Sequence, residues 1–280
     1  MNHQPLDYIV VLDFEATCDD KHPPTPQEII EFPSVLIDMR TLEPVDEFST
    51  FVRPIHHPTL TPFCKELTGI TQDEVDSAPT FPEVLEQHLA WLESNGLPVT
   101  PDEEGPSYSL LLCGDWDLRS MFPTQLQASE PAYDYVPYPY QQWINVKRIF
   151  EQWYGRRKAP GMPGMLRALG LKLTGRHHRG IDDCRNITKI VQTLATRGFA
   201  FDVTSELSAK RYPPVTLSLQ FGEDTQELVL QRRTLSSLLG SASSLFRREA
   251  VGAQFTDGQA VTENDLLHLR GNTSLLVFGK

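Results

Sequence analysis

Cysteine is scarce in this chain of 280 residues, and its placement excludes two frameworks. Cys18, Cys64, Cys113 and Cys184 form no CxxC pair and no finger spacing, so neither a disulfide-stapled secreted fold nor a zinc ribbon is expected. Long apolar runs are also missing. No segment could cross a bilayer as a helix, and the N-terminal MNHQPLDY lacks a signal-peptide pattern. The expectation is a soluble, intracellular, cytoplasmic protein with reduced thiols and no membrane contact. Cations are outnumbered, with 25 Lys and Arg against 37 Asp and Glu and a net charge of −12. Such a balance argues against a nucleic-acid partner. The deficit is uneven, however. Residues 144–180 hold nine cations (Lys147, Arg148, Arg156, Arg157, Lys158, Arg167, Lys172, Arg176, Arg179) and one acid, Glu151. That stretch is net +8, so the rest of the chain carries −20. A local basic patch of this kind can steer phosphates on an otherwise acidic body.

Against that background, three separated clusters stand out: Asp13 and Glu15 in YIVVLDFEATCD, Asp117 in LLLCGDWDL, and His178 with Asp183 in GRHHRGIDDCRN. Four carboxylates and an imidazole match the needs of two-metal phosphodiester hydrolysis. Hard divalent ions take oxygen ligands, and a neutral histidine can remove a proton from the attacking water. Tyr8 to Leu12 reads as a strand buried on both faces, and Asp13 and Glu15 then share one side at its end. Ile187, Ile190, Val191 and Leu194 mark the buried stripe of a helix from about Ile181. Asp183 lies one turn before Ile187 on the inward side. Asp182 falls in phase with Asn186 and Lys189, facing outward or supporting the helix N-terminus. In the middle cluster Asp115 suits an N-cap and Asp117 the first turn. Pattern alone lets either reach a metal.

The order DFEATCD, GDWDL, GRxHxGxDD resembles the Eri-type 3′–5′ exonucleases of the DEDDh superfamily. The intervening segments EIIEFP (28–33), FVRP (51–54), FCKELTGI (63–70) and WINVK (143–147) agree with that resemblance over roughly residues 6–200. It implies Asp13, Glu15, Asp117 and Asp183 as ligands of two Mg²⁺ or Mn²⁺ ions. It also selects His178, five positions before Asp183, as the base rather than His177. The implied substrate is RNA with a single-stranded 3′ end, cut to nucleoside 5′-monophosphates. The same chemistry on DNA is the alternative, and a scaffold acting through its C-terminal part is a third reading. Substrate-contacting candidates are Phe14 and Trp116 as stacking faces beside the ligands, Ala16, Arg176, and Leu67 as a wedge by resemblance. The segment 131–140, with four tyrosines, reads as a packed surface loop, or else a nucleic-acid grip. Gly96 to Ser109 reads as a mobile acidic insertion.

The resemblance implies a ribonuclease H-like mixed α/β sheet flanked by helices. The pattern supports it independently, with strands near 8–12, 33–38, 47–53 and 108–113 and helices near 82–93, 116–122, 144–155, 162–170 and 181–197. Three parts are expected: an exonuclease domain over 1–205, a linker over 206–214 marked by Tyr212-Pro213-Pro214, and a module over 215–280. In the last, Val215, Leu217, Leu219 and Phe221 alternate with polar residues, and Glu227 to Leu230 follows as a second strand. A helix capped by Thr234 runs to about Arg248, and strands near 252–255 and 274–278 close the pattern. The order β-β-α-β-β suggests a small α+β, β-grasp-like module that could take a protein partner. If the basic stretch steers phosphates, replacing Arg156, Arg157 and Lys158 by Ala weakens RNA binding and flattens its salt dependence. Titrations of a labelled oligomer at several salt concentrations would show this, and unchanged curves would remove the patch from the account.

Overall fold

Two carboxylates that a buried strand should not tolerate explain how the sheet is organised. The computed structural model describes residues 6–101, 103–130, 132–133, 136–155, 157–207, 215–230, 235–262 and 273–279. Arg156, Pro131, Asp134, Tyr135, residues 208–214 of the expected 206–214 linker and the Thr234 cap lie outside the described residues. The chain divides into two units. The larger holds the described residues up to Leu207 apart from 100–103 and 133–138, and the smaller holds those two stretches and the described residues of 208–280.

In the larger unit, β1 (Tyr8–Leu12), β2 (Glu15–Ala16), β3 (Ile29–Asp38), β4 (Glu43–Phe51), β5 (Tyr108–Leu112), β6 (Gln142–Asn145) and β7 (Ser205–Glu206) form one mixed sheet. β1 runs antiparallel to β3, with Leu12 opposite Ser34, and parallel to β5. β6 continues parallel beside β5, and β4 covers the other edge of β3. The helices are α1 (Pro62–Thr68), α2 (Gln72–Asp76), α3 (Phe81–Ser94), α4 (Phe122–Ala128), α5 (Val146–Trp153), α6 (Met162–Leu169) and α7 (Gly180–Thr196). Their starts follow local chemistry. Thr61 accepts the Cys64 amide ahead of Pro62, and Thr71 and Thr80 open α2 and α3 with capping boxes to Glu74 and Glu83. Among the described residues no helix is long and apolar enough to cross a membrane.

Side chains alternate across the sheet and feed two packed layers. On one face Ile9, Val11, Ile37, Leu111 and Ile144 meet Ile187, Ile190, Val191 and Leu194 of α7. On the other, Phe32 packs edge-on against Phe14 at 4.7 Å, and Phe122 stacks on Tyr140 at 4.4 Å. His88 sits in this second layer with no exposure. Its Nε2 lies 2.8 Å from Ser34 Oγ and its Nδ1 2.7 Å from the Tyr140 hydroxyl.

Several elements depart from the sequence pattern. β3 starts at Ile29 rather than near 33, because every residue to Asp38 is buried and no alternation marks its start. β4 spans Glu43–Phe51 rather than 47–53. The helix expected over 144–155 is α5, Val146–Trp153. It opens two residues later because Ile144 and Asn145 end a strand, β6, that the pattern did not show, Trp143 and Ile144 being wholly enclosed. The helix expected at 116–122 is a π-helical turn, Asp117–Met121, running on into α4. The short α1 and α2 carry too few turns for a periodic signal. The segment before β5 is tied down rather than free. The Tyr108 hydroxyl donates to the Pro98 carbonyl at 2.8 Å, and the Ser107 hydroxyl donates to Asp7 at 2.9 Å. Tyr140 belongs to the core, which settles one of the four tyrosines.

The early opening of β3 matters because it buries Glu28 and Glu31, each about 1% exposed. A buried carboxylate needs donors. Glu28 accepts the amides of Ile55, His56 and His57 at 2.6, 3.0 and 2.7 Å, which fixes the chain leaving β4. Glu31 accepts the amides of Gly180 and Ile181 at 2.9 and 3.2 Å, so it holds the N-terminus of α7. Arg179 lies 3.6 Å from Glu31 and 3.2 Å from Glu74, with its guanidinium over the Phe51 ring at 4.5 Å. Only glycine fits at 180: a Cβ there would stand 2.7 Å from the Asp13 carbonyl and 2.8 Å from Pro33. Helix α7 is thereby pressed against the end of β1.

In the smaller unit, β8 (Val215–Phe221) and β9 (Asp224–Leu230) form an antiparallel hairpin, followed by α8 (Leu235–Phe246), β10 (Gly252–Phe255) and β11 (Thr273–Phe278). Sheet order is β10-β11-β8-β9, with β11 parallel to β8 and antiparallel to β10. Leu217, Leu219, Leu230, Leu275 and Val277 form its core with Leu238 and Ala242 of α8.

Two measurements test this packing. Burial lowers His88 to about 3, while an unfolded histidine titrates near 6.5. Its contribution is therefore whole above pH 6.5 and is lost as pH falls toward 3, by about 2 kcal/mol between pH 6.5 and 5. The raised carboxyl groups of the cleft gain stability over the same range, so the test is the difference. Urea unfolding from pH 6.5 to 5 should change about 2 kcal/mol less favourably in the parent chain than in His88→Gln, and equal changes would discard the point. Glu31→Ala strands two amides and Arg179, and urea midpoints should report a loss of roughly 3 kcal/mol.

Candidate active site

The carboxyl ends of β1 and β5 and the start of α7 open onto one cleft of about 430 Å³. Asp13, Glu15, Asp117, His177, His178 and Asp183 all line it. Asp13 leaves β1, Glu15 pairs opposite Glu31 of β3 in the same register, and the register shifts only after it, between Glu15 and Ala16. Carboxyl oxygens of Asp13, Glu15 and Asp183 lie within 4.8 Å of one another, as do ligand atoms of His177, His178 and Asp183. Asp117, 6% exposed, sits on the π-helical turn, and its Oδ1 accepts the Phe14 amide at 2.9 Å. The choice left open in the middle cluster is resolved by geometry. Asp115 turns away, accepting Trp143 Nε1 at 2.8 Å and the Ser205 hydroxyl at 2.7 Å. Asp182 likewise serves structure, accepting the Arg176 amide at 2.9 Å.

Desolvation governs the electrostatics. Burial, then the charges of Asp117, Glu15 and Asp183, push Asp13 well above the usual carboxylate range. Glu15 rises to about 9 through burial and the opposing Glu31, and Asp117 to about 6 through burial. Burial raises Asp183 too. One oxygen of Asp183 is engaged twice, by the His178 amide and by His177 Nδ1, each at 2.9 Å. Its other oxygen, Oδ1, is buried with no hydrogen-bond partner. An orphaned carboxylate oxygen beside two further acids fits a divalent cation, which would offset the repulsion and complete the coordination. The residues present therefore suit metal ions.

The two histidines differ. Their rings stack at 3.8 Å, but His177 is bound to Asp183, whereas the His178 ring makes no hydrogen bond among the described residues. His178 adopts a left-handed backbone, φ 67°, which is strained for a side chain with a Cβ and aims it into the cleft. Burial, then the neighbouring His177, lowers its pKa and keeps the ring neutral.

The other sequence candidates separate. Ala16, Leu67 and the 45%-exposed Trp116 line the cleft. Phe14 borders it too, but its ring is 4% exposed, stacked on Phe122 and edge-to-face with Phe32, so it offers no free face to a base. The stacking role expected of Phe14 is corrected on that ground. Arg176 is outside the lining: its guanidinium packs over Gly69, whose φ of 73° ends α1, and donates to the Glu66 carbonyl. Sequence reasoning missed Lys147 as a cleft residue and Glu31 as the anchor of α7. The two acids of EIIEFP were a signal for the latter, since acids inside an apolar run demand partners.

Comparison with known proteins agrees with this geometry. A family model described as Exonuclease matches residues 10–191. ERI1 exoribonuclease 3 of Homo sapiens is 45% identical over 204 residues, covering 72% of this chain and 58% of that protein. The 3′-5′ exoribonuclease 1 of Homo sapiens is 38% identical over 215 residues, 76% of this chain and 59% of that one. This chain thus spans under two thirds of the length of these relatives. Among solved structures, the nuclease domain of 3′hExo, a DEDDh family member bound to rAMP, superposes with a TM-score of 0.64 at 37% identity. That match covers 72% of this chain and 98% of the other. A 3′-exonuclease recognising the histone mRNA stem-loop gives 0.66 at 37% identity, covering 74% and 89%. The chain belongs to the exonuclease family, on its Eri-type DEDDh branch.

Proposed function

We propose that this protein is a metal-dependent 3′–5′ exoribonuclease that releases nucleoside 5′-monophosphates from single-stranded RNA 3′ ends. One observation carries the reading. Four carboxyl groups from separate segments meet in one cleft, with their charge uncompensated and Asp183 Oδ1 without a partner. Asp13, Glu15, Asp117 and Asp183 would hold two divalent ions, Mg²⁺ or Mn²⁺. Bound there, such ions neutralise charge on the phosphodiester and polarise it toward attack. The chain's own residues do the rest. The His178 ring, held neutral and without a hydrogen bond among the described residues, takes the proton from the attacking water. The Phe14 amide holds Asp117, and His177 with the His178 amide holds Asp183, so the ligands are oriented before any ion arrives. Trp116 offers the terminal base a half-exposed face, with Leu67 and Ala16 alongside. The relatives named as exoribonucleases favour RNA over DNA.

The exonuclease domain is taken as residues 1–205 and the linker as 206–214. Residues 215–280 we read as a β-grasp-like module: a hairpin, a crossing helix, and a last strand parallel to the first support that reading. Opposite its leucine core, the sheet exposes Val229 and Phe278, at 51% and 45%, which favours a protein-binding role over a catalytic one. Four free thiols accord with a reducing, cytoplasmic setting.

Degradation of 5′-labelled RNA and DNA oligomers with Mg²⁺, Mn²⁺ or EDTA tests the proposal. A metal-dependent ladder from the RNA 3′ end, abolished in Asp13→Asn, is expected. Faster cutting of DNA would replace RNA as the substrate, and no cleavage under any condition would overturn the catalytic reading.

A further inference from the structure

Three neighbouring parallel strands end at the cleft, and their carboxyl ends supply different charges. Beyond β1 comes Asp13, beyond β5 the turn Gly114 to Asp117, and beyond β6 Lys147. Lys147 is the one Lys or Arg among the described residues lining the cleft. Its ammonium lies 3.8 Å from where a Cβ would stand at Gly114, beside the segment that carries Asp117. The neighbouring basic residues are committed elsewhere: Arg148 to Glu151 at 3.4 Å, Arg176 to the Glu66 carbonyl, Arg179 to Glu31 and Glu74. Among the described residues the Lys147 ammonium is in no ion pair. Its place is also costly. Asn145 caps α5 and accepts the Lys147 amide at 3.1 Å, which puts a cation in the first turn, against the helix dipole. A half-buried cation that opposes its own helix and stands at the edge of the cleft beside Asp117 is placed to meet an anion bound there.

We propose that Lys147 is a substrate-contacting residue whose ammonium, beside the Asp117 segment, holds a non-bridging oxygen of the scissile phosphate. This rests on the nuclease reading of the same cleft. The carboxylates alone would repel a phosphodiester. Lys147 would add a fixed positive charge at the cleft wall, where negative charge builds on the phosphate as the water attacks. It also orients the terminal nucleotide, since a point charge with three donors accepts any base sequence.

The test uses the full chain with Lys147→Met, which keeps length without charge, and Lys147→Arg, which keeps charge. Single-turnover degradation of a 5′-labelled RNA oligomer in Mg²⁺ is followed across a salt series. Binding of the same oligomer in EDTA is measured in parallel. Lys147→Met should lose roughly 100-fold in rate. The slope of its log binding constant against log salt should fall by about 0.7, one phosphate contact on a single strand. Lys147→Arg should stay within about ten-fold of the parent, with its slope kept. A Met variant within about three-fold of the parent and with an unchanged slope would overturn the contact, as would Met and Arg variants equally impaired. Should the parent chain cleave nothing, the nuclease reading fails by itself. The binding arm then still decides: a flattened salt slope in Lys147→Met upholds the phosphate contact, and an unchanged slope refutes it.

Discussion

Everything around the cleft answers to one constraint, the cost of placing four carboxyl groups together out of water. Each desolvated carboxylate is expensive, and its neighbours of like charge raise the cost further. The chain meets this with directed donors rather than with counter-charges. The Phe14 amide faces Asp117, and the His178 amide and His177 ring face Asp183. What is left over, on Asp13, Glu15 and one oxygen of Asp183, is the unmet demand that cations can fill. Stability and chemistry are linked by that surplus: with no ion the groups are driven toward protonation, and under the proposed function they would serve as ligands.

A second ring of acids does the opposite work. Glu28 and Glu31 are as buried as the site residues, yet both are fully supplied with backbone amides. Glu31 stands opposite Glu15 in register, so one strand pair carries a carboxyl that seeks metal and another that seeks a helix end. Through Glu31, Arg179 and the close approach at Gly180, the helix bearing Asp183 is fixed to the strand preceding Asp13. Residues far apart in sequence are thus held at ligand distance by backbone contacts. A rigid frame of this kind fits a reaction in which positioning supplies much of the rate. The basic stretch is likewise divided. Arg179 is structural, Arg148 is paired, and Lys147 alone among its described members is turned to the cleft.

The sequence by itself picked out residues that meet in one cleft: Asp13, Glu15, Asp117, His178 and Asp183 could be named because their types and spacing are read along short stretches. Phase arguments also worked where an element has one wet and one dry side, as in α7, whose stripe put Asp183 inward and Asp182 out. Tertiary structure decided the rest. β3 and β6 are enclosed on both faces, so their sequences carry no alternation, and the pattern began β3 too late and missed β6 altogether. Phe14 and Trp116 look equivalent as aromatics beside acids, yet packing stacks one in the core and leaves the other exposed. Glu31 and Lys147 owe their roles to partners on other strands and helices. Local sequence fixes what a residue can do chemically, but what it faces is set by long-range packing, which no short window contains.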